Sequence, residues 1–140
     1  MASAVYNSFK KKIADGSIDL DTDTIKIALV TSSYTVDIDA HDFFDDITNE
    51  TSGTGYSAGG ATLASKVVTV DNTNDRAYFD ADDATWSTST ITARGAVVYK
   101  STGTPSTSAL ICYIDFGSNI TSTAATFTVA FHANGILLFT

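Results

Sequence analysis

The sequence predicts a single mainly β domain over residues 1–140: an antiparallel β-sandwich or barrel with an N-terminal helix and one further short helix. Three observations support this fold class. Aspartate supplies 15 of the 16 acidic residues, and it favours turns and caps, whereas glutamate favours helix interiors. Threonine (22 residues) and serine (15 residues) are abundant, and threonine suits strands. Apolar runs also alternate with turn residues about every 8–12 positions, which is typical of sandwiches and barrels.

The first element is a helix within residues 1–16. Its apolar side chains are spaced as one helical face: Val5, Tyr6, Phe9 and Ile13. Ser3 can cap its start and Gly16 can end it. Lys10, Lys11 and Lys12 then lie in the last turns, where positive charge suits the helix dipole. So short a helix must dock, either on its own sheet or on a neighbouring subunit.

The remaining elements follow from apolar runs and turn chemistry. IKIALV (25–30) is apolar on both faces and predicts a covered strand, and residues 39–47 predict a short helix capped by Asp39. Residues 51–60 form a Gly/Ser/Thr segment, which predicts a mobile loop. Further strands are predicted at 61–70, 76–81, 84–87, 92–100, 109–116, 126–133 and 135–140.

Composition also limits the class of function. The net charge of -8 argues against nucleic acid, which requires clustered lysine and arginine. No apolar run approaches about 18 residues, so we predict no membrane span. Positive charge follows the first apolar residues, the reverse of a signal peptide, so we expect synthesis in the cytoplasm without export by that route. The single cysteine, Cys112, lies in an apolar run and is predicted to be a buried core residue.

Three alternating aspartates, Asp19, Asp21 and Asp23, resemble the start of a calcium loop. The calcium-specific pattern requires a glycine at position 6 and a glutamate at position 12, and these positions hold Thr24 and Val30. We therefore predict no metal site here. A non-standard cation site on the three aspartates is the alternative.

Two short matches to catalytic or cofactor motifs lack the required context. GYSAG (55–59) matches the nucleophile-elbow pattern at Ser57, but no buried strand precedes it and no helix follows. GTGYSA (53–58) resembles a dinucleotide-binding loop and fails for the same reason. His41, His132 and Cys112 do not have zinc-ligand spacing. We predict no catalytic residue, no cofactor and no metal.

Aromatic and terminal apolar residues are the candidates for protein contacts. Trp86, in a short strand between polar turns, is either a core residue or an anchor at a subunit contact. The last strand, GILLFT, carries Leu137, Leu138 and Phe139, and an apolar segment at a chain end should be a sheet strand or an interface element.

Four segments together resemble a family of small proteins of tailed bacteriophages that is largely uncharacterised. They cover nearly the whole chain: YNSFKKKIADGSIDLDTDTIKIALVTSSY, DIDAHDFFDDI, GTGYSAGGATLASKVVTVDNTNDRAYFDADDATWS and ITARGAVVYKSTGTPSTSALICYIDFG. Genes of this family tend to lie among virion structural genes. The resemblance implies a virion component, and it carries over no site residues.

The expected function is therefore a non-enzymatic virion structural protein, a capsid decoration (cement) protein that contacts the major capsid protein. We expect a homo-oligomer that is synthesised in the host cytoplasm and located in the virion. The predicted partner-contact residues are Val5, Tyr6, Phe9, Lys10, Lys11, Lys12, Ile13, Trp86, Leu137, Leu138 and Phe139. One alternative is a tail, neck or fibre component, with loop 51–60 recognising the host. Another is a small hydrolase built on Ser57.

Overall fold

The computed structural model describes residues 2–140 and contains two antiparallel sheets and one α-helix. The large sheet has the order β1-β7-β6-β2-β3, and the small sheet has the order β4-β5-β8. The elements are β1 (Ala4–Val5), α1 (Asn7–Ala14), β2 (Ile25–Val30), β3 (Ala61–Thr62), β4 (Val67–Asp71), β5 (Arg76–Asp80), β6 (Ala84–Lys100), β7 (Leu110–Val129) and β8 (Leu137–Phe139), with 3₁₀ turns at Phe44–Asp46 and Pro105–Thr107. The mainly β, antiparallel fold class is confirmed, and two separate packed sheets favour the sandwich over the barrel.

The two longest strands, β6 and β7, were predicted as shorter pieces. β6 joins the predicted strands 84–87 and 92–100, and β7 joins 110–116 to the first half of 126–133. The prediction of separate strands was wrong because the serine- and threonine-rich segments between them pair with each other across the ribbon. The register shifts several times, so the ribbon is irregular and can bend over the core.

Two buried serines show how the polar middle of this ribbon is accommodated. Ser89 and Ser122 lie on β6 and β7, and their hydroxyl oxygens are 2.7 Å apart. Ser89 Oγ also donates to the backbone carbonyl of Ala125. Because both hydroxyl groups are hydrogen-bonded, their burial does not carry the penalty of an unsatisfied polar group.

The start of the chain differs from the predicted helix in its first residues. Ala4 and Val5 form β1, which pairs with Tyr113 and Cys112 of β7, and the helix begins only at Asn7. Ser3 does not cap the helix, because its hydroxyl accepts a hydrogen bond from the amide of Asp115 instead. Gly16 follows the helix with φ +79°, as predicted for a helix end.

The predicted helix at 39–47 is a turn followed by the 3₁₀ turn Phe44–Asp46. Asp39 does not cap it: the carboxylate of Asp46 accepts the amides of Asp42 and Phe43, whereas Asp39 accepts the side-chain amide of Asn7. Aspartate favours such local backbone bonds over a continuous helix, which explains the shorter element.

Two further strand predictions need correction. The predicted strand 61–70 is split between the sheets, since β3 pairs with β2 and β4 pairs with β5, with Ser65 at φ +54° between them. β7 ends at Val129, so His132 lies in a turn rather than on a strand face.

The core occupies both faces of the large sheet. One face packs against the small sheet, and side chains such as Ile27, Val98 and Phe79 meet there. The opposite face is covered by the segment 34–47 and contains buried tyrosines. β2 is buried on both faces, as predicted, although β6 is the central strand of the sheet. Cys112 is confirmed as a buried, free thiol.

Candidate functional site

The structure divides the predicted partner-contact residues by exposure. Tyr6, Phe9, Trp86 and Leu137 are buried, with Trp86 only 6% exposed, so in this chain they are core residues and offer little surface to a partner. These four side chains belong to the core of the chain, which is the first of the two interpretations of Trp86, and their role as partner contacts stays a prediction. The members that keep accessible surface are Val5, Lys10, Lys11, Lys12, Ile13, Leu138 and Phe139.

The lysine run is only partly available. Lys11 pairs with Asp15 at 2.7 Å, and Lys10 donates to the side chain of Asn7. The Lys12 ammonium lies 4.5 Å from the ring centroid of Phe43, a cation–π contact. Each lysine already has a local partner, so the run is a solvated helix face with modest capacity for further contacts.

An open cleft of about 500 Å³, which we call the apolar groove, brings together both ends of the chain. It lies between residues 13–21, which include the end of α1, and the small sheet. Its apolar lining is Ile13, Ile18, Leu20, Val68, Ala77 and Phe139. The predicted contact residues Ile13 and Phe139 therefore share one surface. Val68 also lines this surface, and local sequence patterns could not predict this because it depends on how the two sheets pack.

The aspartates that resemble a calcium loop form the polar rim of this groove. Asp19 and Asp21 share a hydrogen bond, which lowers the pKa of Asp19 and raises that of Asp21. Asp23 points elsewhere: its carboxylate accepts the amide of Asp19 and pairs with Lys100 at 2.8 Å. Among residues 2–140, no three His, Cys, Asp or Glu side chains converge as a metal site requires.

A second accessible surface lies on β4, the first strand of the small sheet. Val67, Val68 and Val70 are 45%, 44% and 69% exposed, and we call them the valine edge. β4 has a hydrogen-bonded neighbour on one side only, β5. Exposed apolar edge strands are sites where further strands can pair, and folded proteins usually protect them with charges or proline. The sequence shows a β-branched run with charges only at its ends, but its place at a sheet edge follows only from the strand order.

The loop at 51–60 is fixed at several points rather than only at its ends. The Glu50 carboxylate accepts the Tyr56 hydroxyl at 2.7 Å and the Gly59 amide at 2.6 Å. The Tyr56 hydroxyl also accepts the amide of Leu29, and burial is the main cause of its raised pKa. The mobility of this loop stays a prediction, but its exposed residues stand on an anchored base.

The candidate nucleophile lies on this loop. Ser57 is exposed, and its backbone carbonyl accepts the amide of Gly60 in a turn. The Nδ1 atom of His132 accepts the amide of Asn134. Within the described residues, no hydrogen bond joins the Ser57 hydroxyl to a histidine, and the strand–turn–helix geometry of a nucleophile elbow is not present at Ser57.

One buried polar cluster was missed by the sequence analysis. The hydroxyl oxygens of Tyr6 and Tyr34 are 2.8 Å apart, and the Tyr34 hydroxyl lies 2.9 Å from Nδ1 of His41. Burial is the main cause of the raised pKa of Tyr34, about 12. The cluster fastens the 34–47 segment to the sheet. His41 is half-buried beside this cluster.

No protein-family model matches this chain, and neither does any curated protein or solved structure. Within residues 2–140, no helix has both the length and the apolar content needed to cross a membrane.

Proposed function

We propose that this chain is a structural protein of a tailed-bacteriophage virion, a capsid decoration (cement) protein that contacts the major capsid protein. The observation that carries the proposal is that accessible apolar side chains lie together on one side of the chain. The apolar groove and the valine edge share Val68, so they form one continuous contact region beside the small sheet. The resemblance of nearly the whole chain to phage proteins agrees with this role.

The physical logic of a decoration protein fits surfaces of this kind. A modest contact, repeated at every equivalent position of a symmetric shell, gives strong overall attachment without a tight single interface. Exposed apolar patches on small soluble proteins commonly mark protein–protein contacts. The two-sheet core supplies a rigid base, since β2 and β6 are buried on both faces near the sheet centre.

The test is binding to purified capsids that lack the protein. Wild-type protein should saturate the capsids at a fixed number of copies per shell. Placing a charge in the groove with Ile13→Asp should weaken binding, because a carboxylate would then face the apolar lining. The matched control is Ile120→Asp, which charges an exposed isoleucine, 43% accessible, that does not line the groove.

The outcomes separate clearly. Circular dichroism must show that both variants are folded, and only Ile13→Asp should lose capsid binding. If the protein is missing from purified virions, or if wild type does not bind the capsids, the decoration role is wrong. If both variants bind as well as wild type, the apolar groove is not the contact surface.

A tail, neck or fibre component is the second candidate, and the anchored loop favours it. Residues 52, 54, 57 and 58 are exposed on a loop whose base is held by Glu50 and Tyr56. Recognition loops on rigid sheets have this arrangement. Labelled antibodies against the protein, imaged on intact particles, distinguish the two proposals: label on the tail supports this one, and label on the head excludes it.

A further inference from the structure

We propose that the cleft between β2, the loop 51–60 and the turn between β6 and β7 binds a small organic acid that carries hydroxyl groups, the chemistry of a sugar acid. We call this site the lysine cleft. It has a volume of about 370 Å³, and the lining residues that define its chemistry are Lys26, Phe44, Glu50, Gly59, Tyr99 and Pro105. It shares no lining residue with the apolar groove, so the inference does not depend on the virion role.

The decisive feature is a lysine without a partner. Lys26 is half-buried on β2, and within residues 2–140 its ammonium has no ion pair and no hydrogen bond. The seven other lysines and arginines of the chain each contact a carboxylate, a backbone carbonyl, a side-chain amide or an aromatic ring. A partly buried charge without a partner is costly, and in a chain with a net charge of -8 such an ammonium points to an anion from outside.

Gly59 leaves space directly beside this ammonium. A Cβ atom on Gly59 would lie 3.4 Å from Lys26 Nζ and 3.3 Å from the Tyr99 hydroxyl oxygen. Lys26 and Tyr99 are also directly opposite each other on β2 and β6, so both side chains leave the same face of the sheet. Because glycine has no side chain, an anion can approach Nζ along the backbone of the loop.

Glu50 lines the same cleft without neutralising Lys26. Its Oε1 atom accepts the Tyr56 hydroxyl at 2.7 Å and the Gly59 amide at 2.6 Å, and these two bonds hold the carboxylate to the loop. Its second oxygen, Oε2, has no hydrogen-bond donor among the described residues. An ionised carboxylate only accepts hydrogen bonds, so a ligand that reaches Oε2 has to supply a donor such as a hydroxyl group.

Aromatic and proline carbons form the apolar wall of the cleft. Phe44 stacks on Tyr99, with ring centroids 4.1 Å apart and 17° between the planes. The Tyr99 hydroxyl donates to the Gly59 carbonyl at 2.7 Å, which joins this wall to the loop. Ligand sites commonly measure about 300–1,000 Å³ and combine apolar walls with a few polar groups. A cleft at the small end of that range suits a single sugar ring, with its carboxylate on Lys26 and a hydroxyl group on Glu50.

Titration of the isotope-labelled protein with glucuronate, followed by amide NMR spectra, is the first test. Glucuronate should shift the amide signals of Lys26, Gly59 and Tyr99 together and to saturation. Glucose, which lacks the carboxylate, should bind about tenfold or more weakly, because it loses a hydrogen bond to a charged group. Absence of any shift with glucuronate, or equal affinity for glucose, would overturn the proposal.

Two substitutions of lysine locate the site. Lys26→Met keeps a long side chain but removes the charge, so it should weaken glucuronate binding about tenfold or more. The matched control is Lys10→Met, which changes an exposed lysine on α1 outside the cleft and should bind as wild type does. Circular dichroism checks that both variants are folded. Equal binding by Lys26→Met and wild type would contradict the assignment of the anion to Lys26.

A longer ligand distinguishes the two sources of such an acid. An oligosaccharide that ends in glucuronate should bind more tightly than free glucuronate if the acid is recognised at the end of a glycan, and no more tightly if the free acid is the ligand. Lys26→Met should still bind capsids as wild type does, because Lys26 does not line the apolar groove. Loss of glucuronate binding with normal capsid binding therefore separates the lysine cleft from the decoration role.

Discussion

Replacing Tyr34 with phenylalanine removes the central hydroxyl of the Tyr6–Tyr34–His41 chain. Tyr6 is fully buried, and the Tyr34 hydroxyl is its hydrogen-bond partner at 2.8 Å. Leaving a buried hydroxyl unpaired costs about 1–3 kcal/mol. His41 is only half-buried and water can replace its lost bond, so this side adds at most about 1 kcal/mol. We expect Tyr34→Phe to lower the free energy of unfolding by about 2–3 kcal/mol.

The matched variants make this prediction specific to the hydrogen bond. Tyr6→Phe leaves the Tyr34–His41 bond in place and should cost only about 0.5–1.5 kcal/mol. The double variant has no orphaned hydroxyl on Tyr6, so its cost should fall below the sum of the single costs by about 1 kcal/mol. Urea unfolding at pH 7, followed by circular dichroism, measures all three. If the cost of the double variant equals the sum of the two single costs within about 0.5 kcal/mol, the hydrogen bond between Tyr6 and Tyr34 does not contribute as described.

Three further predictions follow from the geometry. Gly60→Ala should destabilise the fold by about 2–4 kcal/mol, because φ is +74° and the added Cβ would overlap a backbone carbonyl of β2. The control Gly103→Ala, at φ +87° in open space, should cost only about 1 kcal/mol. Thermal unfolding of the two variants measures the difference. Burial raises the pKa of the Cys112 thiol to about 12, so a thiol reagent at pH 8 should label it only after unfolding, and rapid labelling of native protein would contradict its burial. The hydrogen bond from Arg94 lowers the pKa of Asp115 to about 2, below its unfolded value of 3.8. This pair therefore stabilises the fold above about pH 4 and loses its effect as the pH falls towards 2, so Asp115→Asn should flatten the decline in stability over that range, and an unchanged decline would contradict it.

Local patterns predicted the elements whose environment is uniform along the chain. IKIALV was assigned as a covered strand and is β2, Ile25–Val30, because a strand buried on both faces is apolar at nearly every position. The helix was found from its apolar spacing, but Val5 belongs to β1. Its backbone pairs with Cys112, more than a hundred residues away in sequence, and local spacing carries no information about such a partner.

The missed features depend on pairing and topology. The polar stretch near Ser89 reads as a connection until Ser122 is placed opposite it, and then it is the middle of a strand. The valine edge could not be predicted for the same reason, since the sequence around Val70 would also suit a strand in the middle of a sheet. Only the strand order places β4 at the edge. The hydrogen bond between Tyr34 and His41 likewise depends on how the 34–47 segment folds back.

We propose that this chain is a component of the virion shell, and a reconstruction of the intact particle tests this proposal most directly. We expect density for the two-sheet fold at equivalent positions on the outside of the capsid, with the apolar groove turned towards the major capsid protein. A particle whose shell lacks this density, or one in which the fold is found only in the tail, would contradict the claim.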